Sequence, residues 1–491
     1  MLFNSYHYLI FFPLVVVIYF ILPHKARWFF ILIASYYFYS CLKIEYLLIL
    51  AFSTLADYFI GLKMSKIVEK KRRKKWLYLS IFINLGLLCS FKYLNFINET
   101  IRATLNCFNI FYNIPHFNLL LPIGISFYTF QALSYTIDIY RNEIKAEKHL
   151  GIFAAYISFF PQLLAGPIER AGKLIPQHYR YNNFDIQRIT QGLKIMVRGF
   201  FKKIVIADNI AVYVSKIYDS PADYYGATVI FAVILFAFQV YCDFSGYTDI
   251  AIGSAKILGF DLTNNFQRPF FSKSMTEFWG RWHITLSRWF RDYVFIPFYN
   301  YNNKLFRKIT LKVRHNIAYS VSLSITLILL GLWHGAAFKF IIMGAIFGFI
   351  VVYEQLTKNF RTRFFEFTHL NRHIFIKNIF QIIFTFSLFS LTTVFFRAKT
   401  TGDAITVINN IFIFPDQNIV LHFTKVFAET WNLILLVIFL LCIDLAERKK
   451  SLIEYFEKKP AYFEWIFYTI IILLMIVYSN FTEVSFIYFL F

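Results

Sequence analysis

A histidine sits where a membrane span should be most apolar. His334 ends the run Leu329-Leu330-Gly331-Leu332-Trp333-His334-Gly335, which closes an apolar stretch beginning near Ile317. An ionisable ring at membrane depth is costly and is a functional-site hypothesis by default. Its ordinary pKa of about 6.5 suits it to taking and returning protons near neutral pH. The competing explanation is a histidine satisfied by a hydrogen bond between packed helices.

A second cluster runs from Thr276 to Tyr293 and holds Trp279, Arg281, Trp282, His283, Ser287, Arg288 and Arg291. Read as one helix, it sets Trp279, His283 and Ser287 on a stripe at i, i+4 and i+8, and its arginines on another face. Such a surface suits an anionic, partly apolar ligand. It equally suits an interfacial helix, with Trp at the headgroups and Arg snorkelling. A third cluster, Gln239 to Gly253, interrupts an apolar segment with Asp243, Ser245, Tyr247 and Asp249. A charge at mid-membrane costs about 3 kcal/mol or more, so both carboxylates are expected to face inward. They either pair with arginines such as Arg281 or act directly in chemistry. Their spacing matches no metal-ligand pattern, and no metal is expected. A fourth stretch, Phe160 to Arg170, is rich in Pro and Gly. Irregular backbone at membrane depth lines a path or a site.

The elements that must carry these residues are membrane helices. The chain has 491 residues, 58% hydrophobic and only 16% charged, and apolar runs recur from end to end, which excludes a soluble protein. Candidate spans lie at 8–22, 28–42, 44–62, 76–94, 119–138, 150–167, 195–214, 227–253, 317–335, 337–355, 376–396, 430–446 and 465–489. Segments 119–138 and 150–167, with their Pro and Gly, read as re-entrant or broken helices, leaving about eleven true spans. The stretch 254–316 is too polar to span and is expected to form short helices against the bundle. With no repeat and no polar linker, residues 1–491 read as one all-α polytopic domain. Its motif core lies at about 119–355, between N-terminal helices (1–118) and C-terminal helices (356–491).

The net charge of +22 does not point to nucleic acid. Its densest part, Lys63 to Lys75, lies in a short loop between spans and marks that loop as cytoplasmic, where it could also attract anionic lipid. The first apolar stretch has no preceding Lys or Arg and no small-residue cleavage site, so it reads as a retained helix rather than a signal peptide. Lys25 and Arg27 follow it, placing the N-terminus outside. The five cysteines form no C-x-x-C pair and read as small packing residues.

Taken in order, four motifs resemble the membrane-bound O-acyltransferase family in its bacterial alginate O-acetyltransferase branch. They are Phe-Pro-Gln-x-x-Ala-Gly-Pro-Ile at 160–168, Asp-Phe-Ser-Gly-Tyr-x-Asp at 243–249, Phe-Trp-x-Arg-Trp-His at 278–283, and Gly-Leu-Trp-His-Gly at 331–335. The opening Met1-Leu2-Phe3-Asn4-Ser5 and the closing Phe486-Ile487-Tyr488-Phe489 look alike too. The resemblance implies a helical bundle around a tunnel, entered from one side by an activated acyl donor and from the other by a hydroxyl acceptor.

It further implies that His334 matches the catalytic histidine and His283 the second family histidine. His334 is then expected as general base on the acceptor hydroxyl, and His283 as a group that stabilises the tetrahedral intermediate or orients the acceptor. Arg281 and Arg288 become candidates for donor phosphates, with Trp333 and the third cluster as binding or support. The expected donor is acetyl-CoA or a similar activated acyl compound, with no bound cofactor. Expected acceptors are peptidoglycan N-acetylmuramic acid first and an alginate-like exopolysaccharide second. A separate periplasmic or membrane-anchored esterase-like partner would complete the transfer at the bacterial cytoplasmic membrane. The chain departs from relatives after Tyr293, where Ile296-Pro297-Phe298-Tyr299-Asn300 lacks their glycines, and at Gly280, where a larger polar residue is common. A transporter of a small anion or lipid-linked sugar is the alternative that broken helices and intramembrane charges also suit.

Overall fold

In the computed structural model, residues 1–117, 119–414, 419–448, 452–456, 459–479 and 486–487 are described. Part of the 465–489 stretch, and Tyr488 and Phe489 of the closing motif, lie outside them. Among the described residues the regular structure is helical. The helices used below are α1 (Tyr6–Ile21), α2 (His24–Ser40), α3 (Glu45–Lys66), α4 (Lys70–Cys107), α5 (Ile125–Arg141), α6 (Leu150–Ser158), α7 (Ile186–Phe200), α8 (Asp208–Asp219), α9 (Gly226–Ile257), α10 (Met275–Arg281), α11 (Ile284–Phe290), α12 (Ile296–Leu305), α13 (Leu311–His334), α14 (Phe338–Leu356), α15 (Ile374–Arg397), α16 (Thr401–Asn410), α17 (Ile419–Ala446) and α18 (Ala461–Tyr478).

Eight of these are long and apolar enough to cross a membrane: α3, α4, α9, α13, α14, α15, α17 and α18. That is fewer than the expected eleven, for local reasons. The 8–22 and 28–42 runs give helices of 16 and 17 residues. The 119–138 run becomes helical only at Ile125, and the 195–214 run is interrupted by a π-helical segment at Phe201–Ala207. The long helices differ in what they face. The apolar window of α9 is 78% buried, whereas that of α18 is 6% buried, so α9 is a core helix and α18 turns its aliphatic surface outward.

The helices gather into two compact units, residues 1–196 with 248–263, and residues 197–247 with 264–491. In the first, α5 packs on α3 and α4, and α2 packs on α6. A buried polar knot ties α3, α4 and α5 together. Ser80 donates to Asp57 Oδ1 at 2.6 Å, Asn84 donates to Asp57 Oδ2 at 2.8 Å, and Ser80 and Thr136 hydroxyls meet at 2.9 Å. The expected break after residue 150 is present. α6 stops at Ser158, one turn follows at Phe160–Leu163, and the chain stays buried to Glu169. Its freed backbone finds side chains: Phe160 N–H donates to Ser35 Oγ at 3.1 Å, and the Gln162 amide donates to Tyr156 O at 3.0 Å. Buried irregular backbone requires such partners.

In the second unit, α13 and α14 form a tight hairpin. A Cβ on Gly331 would lie 2.2 Å from Phe340 O, and one on Gly344 would lie 2.3 Å from Leu327 O. Small residues therefore let the two backbones touch. The cysteines depart from expectation: only Cys242 is buried, and Cys41, Cys89, Cys107 and Cys442 are exposed. Cys41 caps the end of α2 and the other three lie on outward helix faces, where a small apolar side chain needs no packing partner.

Candidate active site

All the residues of the candidate site described here, except Asp249, belong to the second unit. His334 is the last residue of α13, and the chain turns extended at Gly335. Its ring stands edge-on to Trp333 at 4.7 Å and to Phe396 of α15 at 5.2 Å. The Trp333 ring lies in turn 5.8 Å from the ring of His283. One tryptophan thus joins the two histidines that sequence leaves 51 positions apart.

The stretch 276–293 is not one helix. It breaks between α10 and α11, where His283 takes a left-handed conformation with φ +42°. The irregular segment 265–267 causes the break. Ile284 N–H donates to Asn265 O at 2.8 Å, and Gln267 N–H donates to Arg281 O at 2.9 Å. Those backbone groups would otherwise bond within a continuous helix. A left-handed β-carbon-bearing residue costs about 1–3 kcal/mol and persists only where its surroundings enforce it. The stripe of Trp279, His283 and Ser287 is therefore lost. His283 turns inward and is buried, while Trp279 and Ser287 line a separate cavity.

The His283 ring is packed against Phe244 at 4.6 Å and Phe266 at 6.3 Å. Its Nδ1 lies 3.2 Å from Asn265 Oδ1. That oxygen also accepts from Thr285 N–H at 3.1 Å and Thr285 Oγ1 at 2.9 Å, which identifies it as the amide carbonyl. His283 Nδ1 must then be the donor, and the neutral ring carries its lone pair on Nε2. Burial, and after it the charge of His334, holds His283 well below the usual imidazole range, so the ring is neutral at neutral pH. Asn265 was not singled out from sequence, and only the tertiary bond marks it.

Asp243 pairs with a lysine, not with an arginine as expected. Lys203 Nζ lies 2.6 Å from Asp243 Oδ1 and 2.8 Å from Asp208 Oδ1, with all three side chains buried. Arg281 instead pairs with Glu277 one turn away. The reason is packing. A Cβ on Gly246 would lie 2.7 Å from Gly199 O and 3.1 Å from Lys203 N, so α9 lies close against the π-helical segment that carries Lys203. The clue in sequence was Lys202-Lys203 inside an apolar span.

Along α9 the third cluster does not converge. Asp243 and Tyr247 share a face, and both meet the closing tail: Ile487 N–H donates to Asp243 Oδ2 at 2.7 Å, and Phe486 stacks on Tyr247 at 4.6 Å. Ser245 is buried on another face. Asp249, six residues on, is rotated by about 240° and groups with the first unit.

Trp282 is buried in an aromatic cluster with Phe266, Phe278 and Phe389 at 5.0–5.4 Å, a packing role. Glu354 of α14 caps α10, accepting from Met275 N–H at 2.7 Å and Thr276 N–H at 3.0 Å. That cap fixes Trp279 over Phe347 at 5.2 Å.

Two cavities flank this core. One, of about 410 Å³, is lined by Trp279, Ser287, Arg288, Arg291, Tyr319 and Leu330 among others, and Leu330 lies one turn before His334. The other, of about 460 Å³, is lined by Lys203, Asp208, Asp243, Lys339, Arg397 and Lys399 among others. Through Ile284 and Leu330 the first cavity comes within a turn of both histidines. An imidazole at each position can take up and return a proton.

Residues 31–396 match the membrane-bound O-acyltransferase family, MBOAT. A probable alginate O-acetylase of Pseudomonas putida is 37% identical over 358 residues, covering 72% of this chain and 71% of that one. A peptidoglycan O-acetyltransferase of Helicobacter pylori is 32% identical over 410 residues, 78% of this chain and 73% of that one. A teichoic acid D-alanyltransferase of Bacillus subtilis is 31% identical over 234 residues, 47% of this chain and 58% of that one. With its apolar helices and its matched core, this multi-pass membrane protein belongs to the membrane-bound O-acyltransferase family and is an acyltransferase.

Proposed function

We propose that the protein passes acetyl groups from a cytoplasmic donor to hydroxyls of a polysaccharide outside the cytoplasmic membrane. The observation that carries this reading is the pair of imidazoles joined through Trp333, within a turn of Ile284 and Leu330 in the wall of the arginine-edged cavity. The basic residues Lys304, Arg307, Lys308, Lys312 and Arg314 around the start of α13 favour a cytoplasmic start. His334 is then at the outer end, as it would be with the N-terminus outside.

The cavity edged by Arg288 and Arg291 suits the donor, acetyl-CoA or a similar thioester, with the arginines toward its phosphates. Arg281, engaged by Glu277, is the weaker candidate for that contact. The charged cavity suits the acceptor. In the reaction, His334 takes the proton of the acceptor hydroxyl as its oxygen bonds to the acyl carbon. The tetrahedral intermediate collapses, and the leaving thiolate recovers the proton from His334. Of the two roles open to His283, its tautomer supports orienting the acceptor. Nε2 carries a lone pair that accepts a hydroxyl, whereas stabilising an oxyanion needs a donor there.

The acceptors that fit this reading are peptidoglycan and an alginate-like exopolysaccharide, the substrates named for two of the relatives. A separate esterase-like partner at the outer face would complete delivery. Ester-linked acetate on purified cell-wall glycan and on secreted polysaccharide tests the reading, in cells with wild-type protein, His334→Ala or no protein, at matched membrane levels. Loss of acetate in both mutants supports it, and the glycan that loses acetate names the acceptor. Acetate unchanged on both glycans in the deletion strain would sink it.

A further inference from the structure

We propose that anionic lipid of the cytoplasmic leaflet docks on the helix Lys358–Phe367 and thereby steadies the wall of the arginine-edged cavity. This adds to the acyltransfer reading above without resting on it.

The ten-residue helix stands between α14 and α15. α14 has 19 residues, enough by itself to fill an apolar core of about 30 Å. Thr357 then leaves helical geometry, with φ −91° and ψ 4°, and the chain begins a second helix at the membrane surface. That surface is the cytoplasmic one. α14 returns along α13 to the side of Lys304, Arg307, Lys308, Lys312 and Arg314, the basic residues that mark a cytoplasmic start.

The helix carries a bare aromatic stripe. At about 100° per residue, Phe360, Phe364 and Phe367 fall on one narrow face, and they are 69, 50 and 84% exposed. Arg361 and Arg363 flank that face, while Lys358 and Glu366 lie behind it. Phe365, off the stripe, turns inward, with Lys377 Nζ of α15 at 4.8 Å from its ring centre. Three phenylalanine rings at the membrane surface are stabilised by entering the acyl boundary, with the flanking arginines reaching back to phosphates. Charge selects the lipid. In the stretch 357–373 four cations, Lys358, Arg361, Arg363 and Arg372, stand against one acid, Glu366. Such a segment is drawn to anionic headgroups over zwitterionic ones.

Glu354, in the last turn of α14, links this helix to the cavity. Arg361 Nη2 donates to Glu354 O at 2.5 Å, and Arg361 N–H donates to Thr357 O at 2.9 Å. The Glu354 carboxylate holds the first turn of α10, accepting from the two N–H groups named above and from Thr276 Oγ1 at 3.0 Å. Thr276, Trp279 and Gly280 of α10, and Val351 of α14, line the cavity. With the helix seated, Arg361 fixes the end of α14 and Glu354 stays on α10. With the helix lifted, both ends fray.

The test is amide hydrogen exchange, read by mass spectrometry, on the full-length protein at a single copy per lipid nanodisc. One set of discs is phosphatidylcholine, and the other is phosphatidylcholine with phosphatidylglycerol. Docking favours the closed helix and so slows exchange through opening. Residues 358–367 should exchange about tenfold slower with phosphatidylglycerol, the scale of two surface cations, and residues 275–281 should slow with them. Salt at about 1 M should erase both differences. The double variant Lys358→Gln, Arg363→Gln, at two exposed positions, should erase them as well. Phe364→Ser should speed exchange of 358–367 in both discs. Unchanged exchange in the core helix α9 shows that each variant is folded.

Equal exchange of 358–367 in the two discs, a difference that survives the double variant or the salt, or a difference confined to 358–367 with 275–281 unmoved would each overturn the proposal. Protection that appears only when two copies share a disc would give the stripe to a second copy and overturn it too. No acyl transfer enters this test, so its result and that of the acetate assay are decided separately.

Discussion

Asn265 Oδ1 lies 3.2 Å from His283 Nδ1 while it accepts two further hydrogen bonds from Thr285. This contact fixes the tautomer of the ring, while backbone bonds of the same segment, Ile284 N–H to Asn265 O and Gln267 N–H to Arg281 O, hold the left-handed turn and the break between α10 and α11. The neutral Nε2 that results is the only ring nitrogen of His283 able to accept a hydroxyl.

Asn265→Ala should therefore act through His283. We expect a kcat loss of about tenfold to a hundredfold, the scale of a removed orienting partner, with donor KM unchanged. A purely structural role would add to the effect of His283→Ala. A positioning role will not, so the double variant should be no slower than His283→Ala alone. Steady-state acetyl transfer in membranes measures both.

His334→Ala should lower acetyl transfer by about 10²–10⁴, the usual contribution of a general base, while detergent-extracted protein elutes as wild type. The ring sits at the end of α13 and is only partly buried, so its loss opens no large cavity. A variant with full activity would remove His334 from the chemistry.

Acidification should destabilise the fold through two neutral histidines outside the spans. Burial lowers His178 to about 3, and burial with His334 lowers His283. Below about pH 6.5 the unfolded chain binds a proton at each ring that the folded chain refuses, so stability falls as pH falls. From pH 6.5 to 5 the loss at His178 is about 2 kcal/mol, and His283 adds to it in the same direction. Thermal midpoints should drop over that range, and His178→Leu, which suits a site between Phe159 and Phe260, should flatten part of the drop.

Lys203→Met should be severe, because it strands Asp208 and Asp243 together in the interior. Breaking a buried pair costs about 3–5 kcal/mol. Adding Asp208→Asn and Asp243→Asn should recover much of the lost thermal midpoint, since no charge is then left buried. Failure of the triple variant to recover would mean that the lysine does more than neutralise.

Gly344→Leu tests the hairpin that delivers His334. Its side chain would enter the backbone of α13 at Leu327, where nothing can yield. We expect little monodisperse protein on size exclusion, whereas Gly86→Leu, where a Cβ meets nothing within 4 Å, should be tolerated.

By itself the sequence determined the membrane class, the helical architecture and the break near Phe160, and it singled out both histidines as candidates. These depend on composition, on runs of apolar residues, and on single residues whose cost in a membrane makes them conspicuous. His334 was legible because nothing apolar explains an imidazole in Leu-Trp-His-Gly. What only the tertiary structure decided depends on segments far apart in the chain. The periodicity of 276–293 reads as one helix because helical spacing is local, and the segment that breaks it, 265–267, carries no matching pattern. Asp243 looked able to pair with any nearby arginine, because charge alone names no partner. Lys203 won it because Gly246 lets α9 approach the π-helical segment closely enough. Asn265, an ordinary loop residue in sequence, acquires its role only when folding brings its carbonyl to His283.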